Sequence, residues 1–318
     1  MSHHVDRIAP AICLPKVTRL GWIGTGVMGR SMCGRLLDAG FSVTLFTRTP
    51  EKAQDLLARG AQWAASPRAA AQVSDVVFSI VGYPEDVREV VLGEQGVLRG
   101  LLPGSILVDC TTSDPALAIE IDKVGRSHRV WCLDAPVSGG DIGAREGRLT
   151  VMVGGDDAVR LALTECWKVL ASNVVACGPA GNGQHTKLVN QIAIASGMIG
   201  VCEAMLYAHQ AGLDLEKTLA AISPGAAGSW SLSNLAPRIV NGNFSPGFMV
   251  EHFVKDMGLA LLECRRMRLS LPGLELAHSL YESLQQGGHG RLGTQSLVLA
   301  LAKISQSPWP KLDPSQIP

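Results

Sequence analysis

One stretch near the start of the chain decides the fold: Arg19-Leu-Gly-Trp-Ile-Gly-Thr-Gly-Val-Met-Gly29. The apolar run over residues 19–23 predicts a β-strand, and residues 28–39 have the pattern of a helix. Between them, three glycines have the spacing G-x-G-x-x-G. A strand, a glycine-rich turn and a helix in this order are typical of a βαβ unit that binds a dinucleotide. An ordinary structural turn is the alternative.

Each glycine of this turn has a separate predicted role. Gly24 permits the tight turn, Gly26 lets a pyrophosphate approach the backbone, and Gly29 lets the helix pack closely against the strand. The start of the helix then offers free N–H groups to the phosphates. We therefore predict that the cofactor is bound by Gly24, Thr25, Gly26, Val27, Met28 and Gly29.

The end of the second predicted strand, Ser42–Phe46, indicates which dinucleotide is bound. An acidic residue at this position would bind a ribose 2′-hydroxyl and indicate NAD. This chain has Thr47-Arg48-Thr49 there. The guanidinium of Arg48 is suited to a phosphate, and the two threonines offer hydroxyls. The sequence therefore predicts NADP, with NAD as the alternative cofactor; a solvated loop is the other interpretation of Arg48.

The first half of the chain alternates strands with helices. Further strands are predicted over residues 75–81, 105–109, 129–134 and 149–153. Continuous apolar strands that alternate with helices predict a parallel sheet covered on both faces. The predicted fold class is α/β, a Rossmann-type doubly wound parallel sheet followed by an all-α C-terminal domain.

The second half is predicted to be helical. Residues 184–210 carry almost no turn signal and are apolar nearly all round, which predicts a long buried helix. Further helices are predicted over residues 215–222, 254–268, 273–285 and 294–304. We predict an NADP-binding domain over residues 17–180, a helical substrate and dimerisation domain over residues 181–305, and disordered tails at 1–16 and 306–318.

Composition excludes several classes of protein. The chain has 318 residues, 47% of them hydrophobic, and its 28 lysines and arginines balance 28 acidic residues. This balance predicts neither nucleic-acid binding nor attachment to an anionic membrane, and the apolar fraction argues against disorder. The eight cysteines form no C-x-x-C pair, and no secretory leader is apparent. We predict a soluble intracellular protein of the cytoplasm or the mitochondrial matrix, without a metal.

Three further segments suggest a family. They are Leu133-Asp-Ala-Pro-Val-Ser-Gly-Gly140, Gly181-Asn-Gly-Gln-His-Thr-Lys-Leu-Val-Asn190 and Phe253-Val-Lys-Asp-Met-Gly258. With the glycine-rich turn, they resemble in order the four signatures of the β-hydroxyacid dehydrogenases. That family includes 3-hydroxyisobutyrate dehydrogenases, tartronate semialdehyde reductases and plant glyoxylate/succinic semialdehyde reductases. The resemblance covers residues 18–304, and the ending Gly290-Arg-Leu-Gly-Thr-Gln-Ser296 is similar to the plant type.

Lys187 is the predicted catalytic residue. Hydride transfer between an alcohol and a carbonyl needs a proton donor or acceptor at the substrate oxygen. A lysine at the start of an apolar helix suits this role, because burial and the positive helix end both disfavour its charged form. Asn190 lies three residues on, on the same helix face. The resemblance assigns Lys187 as general acid/base and Asn190 as the residue that orients the substrate; a snorkelling surface lysine is the alternative.

The resemblance also implies the remaining site residues. Successive backbone N–H groups of Ser138-Gly139-Gly140 can bind an anion, and the resemblance implies that they hold the substrate carboxylate. By resemblance Thr112 and Lys255 contact the cofactor, Lys255 from across an interdomain cleft. Tyr83 is either a cofactor contact or a surface residue.

We therefore predict an NADP-dependent oxidoreductase that interconverts a small β-hydroxy acid and its semialdehyde. An NADPH-dependent glyoxylate or succinic semialdehyde reductase is the alternative within this class. A catalytically silent dinucleotide-binding protein and an imine reductase are alternatives of other kinds, and the presence of Lys187 argues against both. The apolar helix over residues 184–210 needs covering, so a homodimer or homotetramer is expected.

Overall fold

The computed structural model of the chain describes residues 9–307 and residue 309. The chain divides into two compact units, Met1–Lys187 and Leu188–Pro318. The first unit, unit 1, is an α/β structure built on one sheet, and the second, unit 2, is helical. The predicted fold class is therefore confirmed.

The strands of unit 1 alternate with helices along most of their length. Among the described residues the strands are β1 Arg19–Ile23, β2 Ser42–Phe46, β3 Gln62–Trp63, β4 Val76–Ser79, β5 Ile106–Asp109, β6 Trp131–Asp134, β7 Val137–Ser138, β8 Leu149–Gly154 and β9 Ala171–Gly178. The helices are α1 Val27–Asp38, α2 Gln54–Ala58, α3 Pro67–Gln72, α4 Pro84–Leu92, α5 Pro115–Ser127, α6 Gly140–Glu146, α7 Asp157–Ala162 and α8 Thr164–Leu170, with 3-10 turns at Pro50–Ala53 and Val97–Arg99.

The sheet has the strand order β3-β2-β1-β4-β5-β6-β8-β7, and β9 pairs with β8. From β3 to β6 every pair is parallel. This order reverses direction at β1, where the chain crosses from one half of the sheet to the other. Ligands of such sheets bind outside the carboxyl ends of the strands at that reversal.

Side chains of the central strands are buried on both faces of the sheet. Trp22 and Phe78 pack in one core, with ring centroids 5.7 Å apart. Val77 and Leu107 point to the opposite face and pack in a second core. Because alternate residues of a strand point to opposite faces, both faces need apolar residues, which explains the continuous apolar runs.

The structure differs from the predicted sheet in two respects. The short strands β3 and β7 and the strand β9 were not predicted, because two-residue strands carry no periodicity and β9 is mostly exposed. In addition, β8 is antiparallel to β6 and to β7. The sheet is therefore parallel from β3 to β6 and mixed beyond β6.

One long helix, α9, covers Asn182–Gln210 and belongs to both units by residue number. Within the described residues it is the one helix long and apolar enough to cross a membrane, by length and composition alone. Core helices of globular proteins meet the same criteria. Only 33% of its most apolar 18-residue window is buried inside the chain.

Unit 2 consists of helices around a single core. Its described helices after α9 are α10 Leu215–Ile222, α11 Trp230–Asn234, α12 Ala236–Val240, α13 Val250–Met267, α14 Pro272–Leu284 and α15 Leu297–Ile304, with a π-helical segment at Gln285–His289 and a 3-10 turn at Thr294–Ser296. Phe253 and Tyr281 lie near the centre of this core, with ring centroids 5.0 Å apart.

Parts of the predicted disordered tails are packed. Cys13 is buried, its N–H donates to the carbonyl of Ala162, and its sulfur lies 3.2 Å from that of Cys166. Trp309 is also buried, and its ring contacts His209. For these residues the predicted disorder is wrong, because single large or apolar side chains anchor the segments. The prediction for residues 1–8, 308 and 310–318 lies outside the described residues.

Candidate active site

The glycine-rich turn between β1 and α1 has no room for side chains at two positions. Gly24 has φ +96°, and a Cβ there would lie 2.2 Å from the carbonyl oxygen of Ile80. A Cβ at Gly29 would lie 2.3 Å from the carbonyl oxygen of Gly24. Both distances are far below van der Waals contact, so β1, α1 and the end of β4 approach as closely as they do only because these residues are glycines.

The same turn leaves open space at the start of α1. A Cβ at Gly26, the N-cap, would have no atom of the described residues within 4 Å. The buried hydroxyl of Thr25 has no hydrogen-bond partner among the described residues. Residues 27–30, the first turn of the helix, include no acid. Free helix N–H groups, an unused hydroxyl and open space fit the diphosphate of a dinucleotide.

The residues after β2 are arranged around an ion pair. Thr47 is buried, whereas the Arg48 side chain is 76% exposed and its Nη1 lies 2.8 Å from Oδ1 of Asp86. The other oxygen of Asp86 accepts the N–H of Tyr83, the N-cap residue of α4, at 3.2 Å. Thr49 precedes the 3-10 turn at residue 50. Asp86 was not predicted as a site residue, since sequence gives no sign that α4 starts beside Arg48.

Tyr83 lies in the loop between β4 and α4, and the residue is 40% exposed. Thr112 follows β5 and is partly buried. The Tyr83 loop leaves the carboxyl end of β4, which lies next to β1, and the Thr112 loop leaves the carboxyl end of β5, which lies next to β4. Dinucleotides bind at this edge in sheets of this order.

A buried carboxylate, Asp109, ends β5. Its Oδ1 accepts hydrogen bonds from the hydroxyls of Ser79 at 2.9 Å and Thr111 at 2.7 Å, and from the Thr111 N–H. Burial raises the pKa of Asp109 to about 6, although these hydrogen bonds oppose the shift. Asp109 therefore organises the start of the loop that carries Thr112.

A second buried carboxylate, Asp134, ends β6 and fixes the start of α9. Its Oδ1 accepts the N–H of Gly181 at 2.8 Å, and its Oδ2 accepts the N–H of Gln184 at 2.9 Å. Burial raises the pKa of Asp134, and the backbone hydrogen bonds counteract this shift. A carboxylate at a helix N-terminus satisfies N–H groups that have no partner within the helix.

Lys187 lies on α9 and its residue is only 7% exposed. The sequence predicts Lys187 at the very start of the helix, but the helix begins at Asn182 and Lys187 therefore lies in its second turn. The capping by Asp134 explains the difference, since it extends the helix towards the preceding glycines. The burial of Lys187 removes its amine from bulk water. A lysine that transfers protons needs such an environment.

The Ser138-Gly139-Gly140 segment connects β7 to α6. Gly139 has φ +130° and Gly140 has φ +64°, so both have backbone conformations that other residues rarely adopt. A Cβ at Gly139 would also lie 3.2 Å from the side chain of Leu149. Ser138 is partly buried.

Unit 2 holds the other two candidate residues, which are linked by a chain of hydrogen bonds. The Nδ2 of Asn190 donates to Oε1 of Gln191 at 2.7 Å, and the Nε2 of Gln191 donates to Oδ2 of Asp256 at 2.6 Å. The Nζ of Lys255 lies 3.0 Å from Oδ1 of Asp256. Gln191 was not predicted; its adjacency to Asn190 was the available signal.

The candidate residues thus fall into two groups. Unit 1 holds the glycine-rich turn, the Arg48 segment, the Tyr83 and Thr112 loops, the Ser138 segment and Lys187. Unit 2 holds Asn190 and Lys255. Over residues 9–307 and 309, no group of three or more His, Cys, Asp or Glu side chains is arranged to hold a metal ion.

Two protein families match consecutive parts of the chain. Residues 19–178 match the NAD binding domain of 6-phosphogluconate dehydrogenase. Residues 181–301 match the NAD-binding domain of NADP-dependent 3-hydroxyisobutyrate dehydrogenase.

Individual relatives match over nearly their whole length. The chain is 52% identical to a probable 3-hydroxyisobutyrate dehydrogenase-like mitochondrial protein of Arabidopsis thaliana, over 94% of this chain and 89% of the relative. It is 36% identical to the 2-hydroxy-3-oxopropionate reductase of Escherichia coli, over 89% and 97%. Among solved structures, 3-hydroxyisobutyrate dehydrogenase from Salmonella typhimurium is similar with a TM-score of 0.80 and 31% identity, covering 88% of this chain and 99% of the other.

Proposed function

Because the chain belongs to the β-hydroxyacid dehydrogenase family of NAD(P)-binding oxidoreductases, we propose that it interconverts a small β-hydroxy acid and its semialdehyde with NADP. The proposed activity is 3-hydroxyisobutyrate dehydrogenase-like. The observation that carries this proposal is the buried Lys187, which lies on a helix whose start is hydrogen-bonded to the end of strand β6.

The cofactor is proposed to bind along the carboxyl edge of β1, β2 and β4. The N-terminus of α1 and the Thr25 hydroxyl hold the diphosphate, for which Gly26 leaves room. Arg48, with Thr47 and Thr49 beside it, holds the 2′-phosphate of NADP. Tyr83 and Thr112 are proposed to contact the nicotinamide half, and Lys255 is proposed as a further contact.

When bound, the nicotinamide ring accepts or supplies the hydride. The protein then has to move one proton at the substrate oxygen, and Lys187 is proposed to do so. In oxidation the neutral amine takes the hydroxyl proton, and in reduction the ammonium donates a proton to the carbonyl oxygen. Asn190 lies three residues further along α9, so it faces the same side of the helix. Its amide orients the substrate without adding charge.

The substrate carboxylate is proposed to bind at Ser138-Gly139-Gly140. Gly139 and Gly140 both have positive φ and carry no side chain, and their successive backbone N–H groups are proposed to face the carboxylate. Such N–H groups, together with the Ser138 hydroxyl, can hold one carboxylate. The negative charge of the substrate then fixes which end of the molecule faces the cofactor.

The decisive experiment replaces the proton-transferring group. Lys187→Met keeps much of the apolar stem and removes the amine, so turnover should fall by at least about 10²-fold. The dissociation constant of NADPH, measured by fluorescence titration, should stay near that of the parent protein. Retained turnover in Lys187→Met would contradict the mechanism, and loss of NADPH binding would point to damage elsewhere.

A second candidate function is reduction of glyoxylate or another small semialdehyde. It is favoured by the 36% identity to the Escherichia coli 2-hydroxy-3-oxopropionate reductase. A panel of glyoxylate, succinic semialdehyde, methylmalonate semialdehyde and tartronate semialdehyde with NADPH distinguishes the two. The highest kcat/KM identifies the substrate. A catalytically silent protein would turn over none of them.

We also propose that the two parts of the chain have different main roles. Residues 17–180 form the NADP-binding domain and also hold the substrate carboxylate at residues 138–140. Residues 181–305 contribute further substrate contacts, the Lys255 contact to the cofactor, and subunit contacts. The family matches break at residues 178–181, whereas the compact units divide after Lys187. The relatives include a mitochondrial protein and a bacterial one, and we propose the mitochondrial matrix or the cytoplasm for this chain.

A further inference from the structure

The side chain of Gln184 connects α9 to the loop after β5. Gln184 is fully buried in the first turn of the helix. Its Oε1 accepts the N–H of Ser113 at 2.8 Å, and its Nε2 donates to the carbonyl oxygen of Thr111 at 2.7 Å. The two bonded backbone groups flank Thr112, so one amide spans the residue that the proposed function assigns to cofactor contact.

The backbone of Gln184 is itself held in place. Its N–H donates to Asp134, as described above. The preceding residue, Gly183, approaches its neighbours so closely that a Cβ would lie 2.5 Å from the carbonyl oxygen of Met152 and 2.6 Å from that of Asp134. The first turn of α9 therefore cannot shift without breaking these contacts. The backbone that carries the Gln184 side chain is thus held in place.

Gln184 also precedes Lys187 by three residues. Residues three apart on a helix lie on the same face, about one turn from each other. The side chain of Gln184 thus links the helix that carries the proposed proton-transferring amine to the Thr112 loop. Both partners of that side chain are backbone groups of the loop, so the two hydrogen bonds hold the loop backbone itself in position.

The chemistry of the contact requires a glutamine amide. One partner is an N–H donor and the other a carbonyl acceptor, and the glutamine amide meets both without charge, with its acceptor and its donor on two separate atoms. Asparagine is one methylene shorter. A glutamate carboxylate offers only acceptors and would place an oxygen against the Thr111 carbonyl oxygen.

We propose that Gln184 is a positioning residue, which holds the Thr112 loop in register with the turn of α9 that carries Lys187. This inference rests on the proposed function, because it concerns the alignment of cofactor and proton donor. Gln184 itself touches neither. Displacement of reacting groups by about 1 Å can cost about 10²-fold in rate, so a loosened loop should be costly.

The test compares two substitutions that differ in packing. Gln184→Met keeps the length and apolar volume of the side chain but removes both hydrogen bonds, and Gln184→Ala removes packing as well. We expect kcat/KM with NADPH to fall by about 10- to 100-fold in both. We expect the thermal midpoint to fall further in Gln184→Ala, and the dissociation constant of NADPH to rise in both.

Gln295→Met is the matched control. Gln295 is also buried, and its Nε2 donates to the backbone carbonyls of Asn243 and Ser245. These three residues are not among the candidate site residues. Its substitution should lower the thermal midpoint and leave kcat/KM near that of the parent protein. A role of Gln184 in stability alone would make the two methionine variants behave alike.

The outcomes separate this inference from the function on which it rests. Full kcat/KM in folded Gln184→Met, with Lys187→Met inactive, overturns the positioning role and leaves the proposed function intact. Turnover in Lys187→Met overturns the proposed function instead. If neither the methionine nor the alanine variant folds, Gln184→Glu provides the measurement, and parent-like kcat/KM there at pH 8 also overturns the positioning role.

Discussion

Arg48 is the side chain on which the choice between NADP and NAD is proposed to depend. Arg48→Ala should weaken NADP binding by about 10- to 100-fold, since a charge-assisted contact to a phosphate is lost. NAD has no 2′-phosphate, so its dissociation constant should change little. Titration of both cofactors against the variant measures this difference.

The thermal midpoint of Arg48→Ala should stay close to that of the parent protein. The ion pair with Asp86 is at the surface, with the arginine 76% exposed, and such pairs contribute little to stability. Arg88→Ala is the matched control, because Arg88 forms a comparable surface pair with Glu120. Equal losses of NADP and NAD affinity in Arg48→Ala would contradict the assignment.

Asp109 should make the stability of the protein depend on pH. Its pKa is raised from 3.8 to about 6 in the folded protein, so between these values the folded chain keeps a proton that the unfolded chain has lost. Its contribution is therefore present below about pH 4 and lost as the pH rises through 6. Asp109→Asn removes this titration, and its oxygen can still accept the bonds from Ser79 and Thr111.

We expect the free energy of unfolding of Asp109→Asn, relative to that of the parent protein, to increase with pH. Relative to the parent protein, Asp109→Asn should gain about 2–3 kcal/mol in the free energy of unfolding between pH 4 and pH 8. Urea unfolding at the two pH values measures it. Asp157→Asn is the control that should show little change between these pH values, because the neighbouring Arg160 lowers the pKa of Asp157 and its titration lies below pH 4. A pH-independent difference for Asp109→Asn would show that the carboxyl titrates normally.

Single residues were predictable from sequence where their own conformation decides the role. Gly24 and Gly29 are glycines for local steric reasons, and the motif spacing indicates them. Asp134 and Gln184 were not assigned roles, although both lie in quoted motifs. Their roles depend on backbone groups about 50 and 70 residues away in the chain, and no local pattern encodes such partners.

At the scale of elements, the turn between β1 and α1 contains two glycines with different predicted roles. Gly29 is needed for the packing of α1 on β1, and Gly26 is needed for cofactor binding. Gly29→Ala forces a Cβ against the Gly24 carbonyl, so the thermal midpoint should fall by about 4–10 °C. Gly26→Ala meets open space and has φ −66°, so the protein should remain stable. The added methyl should nevertheless obstruct the diphosphate and weaken NADPH binding.

Differential scanning fluorimetry and NADPH titration of both variants test this pair. Parent-like NADPH affinity in Gly26→Ala would show that the diphosphate lies elsewhere. An unchanged midpoint in Gly29→Ala would show that β1 and α1 can separate at low cost.

Elements with a strong apolar period were predicted closely. The bounds of β1, β2 and α10 agree with the prediction, and α13 begins four residues earlier than expected. The two-residue strands and the exposed β9 lack such a period, and their pairing with neighbours was invisible in the sequence. Tertiary pairing creates these elements.

At the scale of the whole molecule, we expect a homodimer or homotetramer. The helix α9 exposes large apolar side chains, among them Val189 at 65% and Tyr207 at 76%. Multi-angle light scattering should therefore give a multiple of 33.6 kDa. Val189→Glu should shift the distribution towards the monomer, because a buried carboxylate at a subunit contact is costly.

Leu161→Glu is the control for that measurement, since Leu161 is an exposed apolar residue at 54% on α7. It should leave the mass unchanged. A monomer at micromolar concentration for the parent chain would contradict the expectation.

The order of the two halves was predictable, because the hydrophobic period changes from strands to helices along the chain. The sequence predicts a boundary at residue 180, which is where the two family matches meet. The compact units divide seven residues later, so the end of α9 that Asp134 caps is grouped with unit 1 and the rest with unit 2.

That shared helix limits how the protein can be recombined. A fragment that stops at residue 180, between the two family matches, would retain the Asp134 carboxylate without the N–H groups of Gly181 and Gln184 that it serves. In a chimaera joined at that position, one parent provides the Asp134 carboxylate and the other provides the N–H groups. The contacts are lost unless the two parents fit each other there. A crossover beyond Gln210 keeps the helix and its anchor from one parent, but the buried residues of α9 would then have to pack against helices of the other parent, with which they share one core.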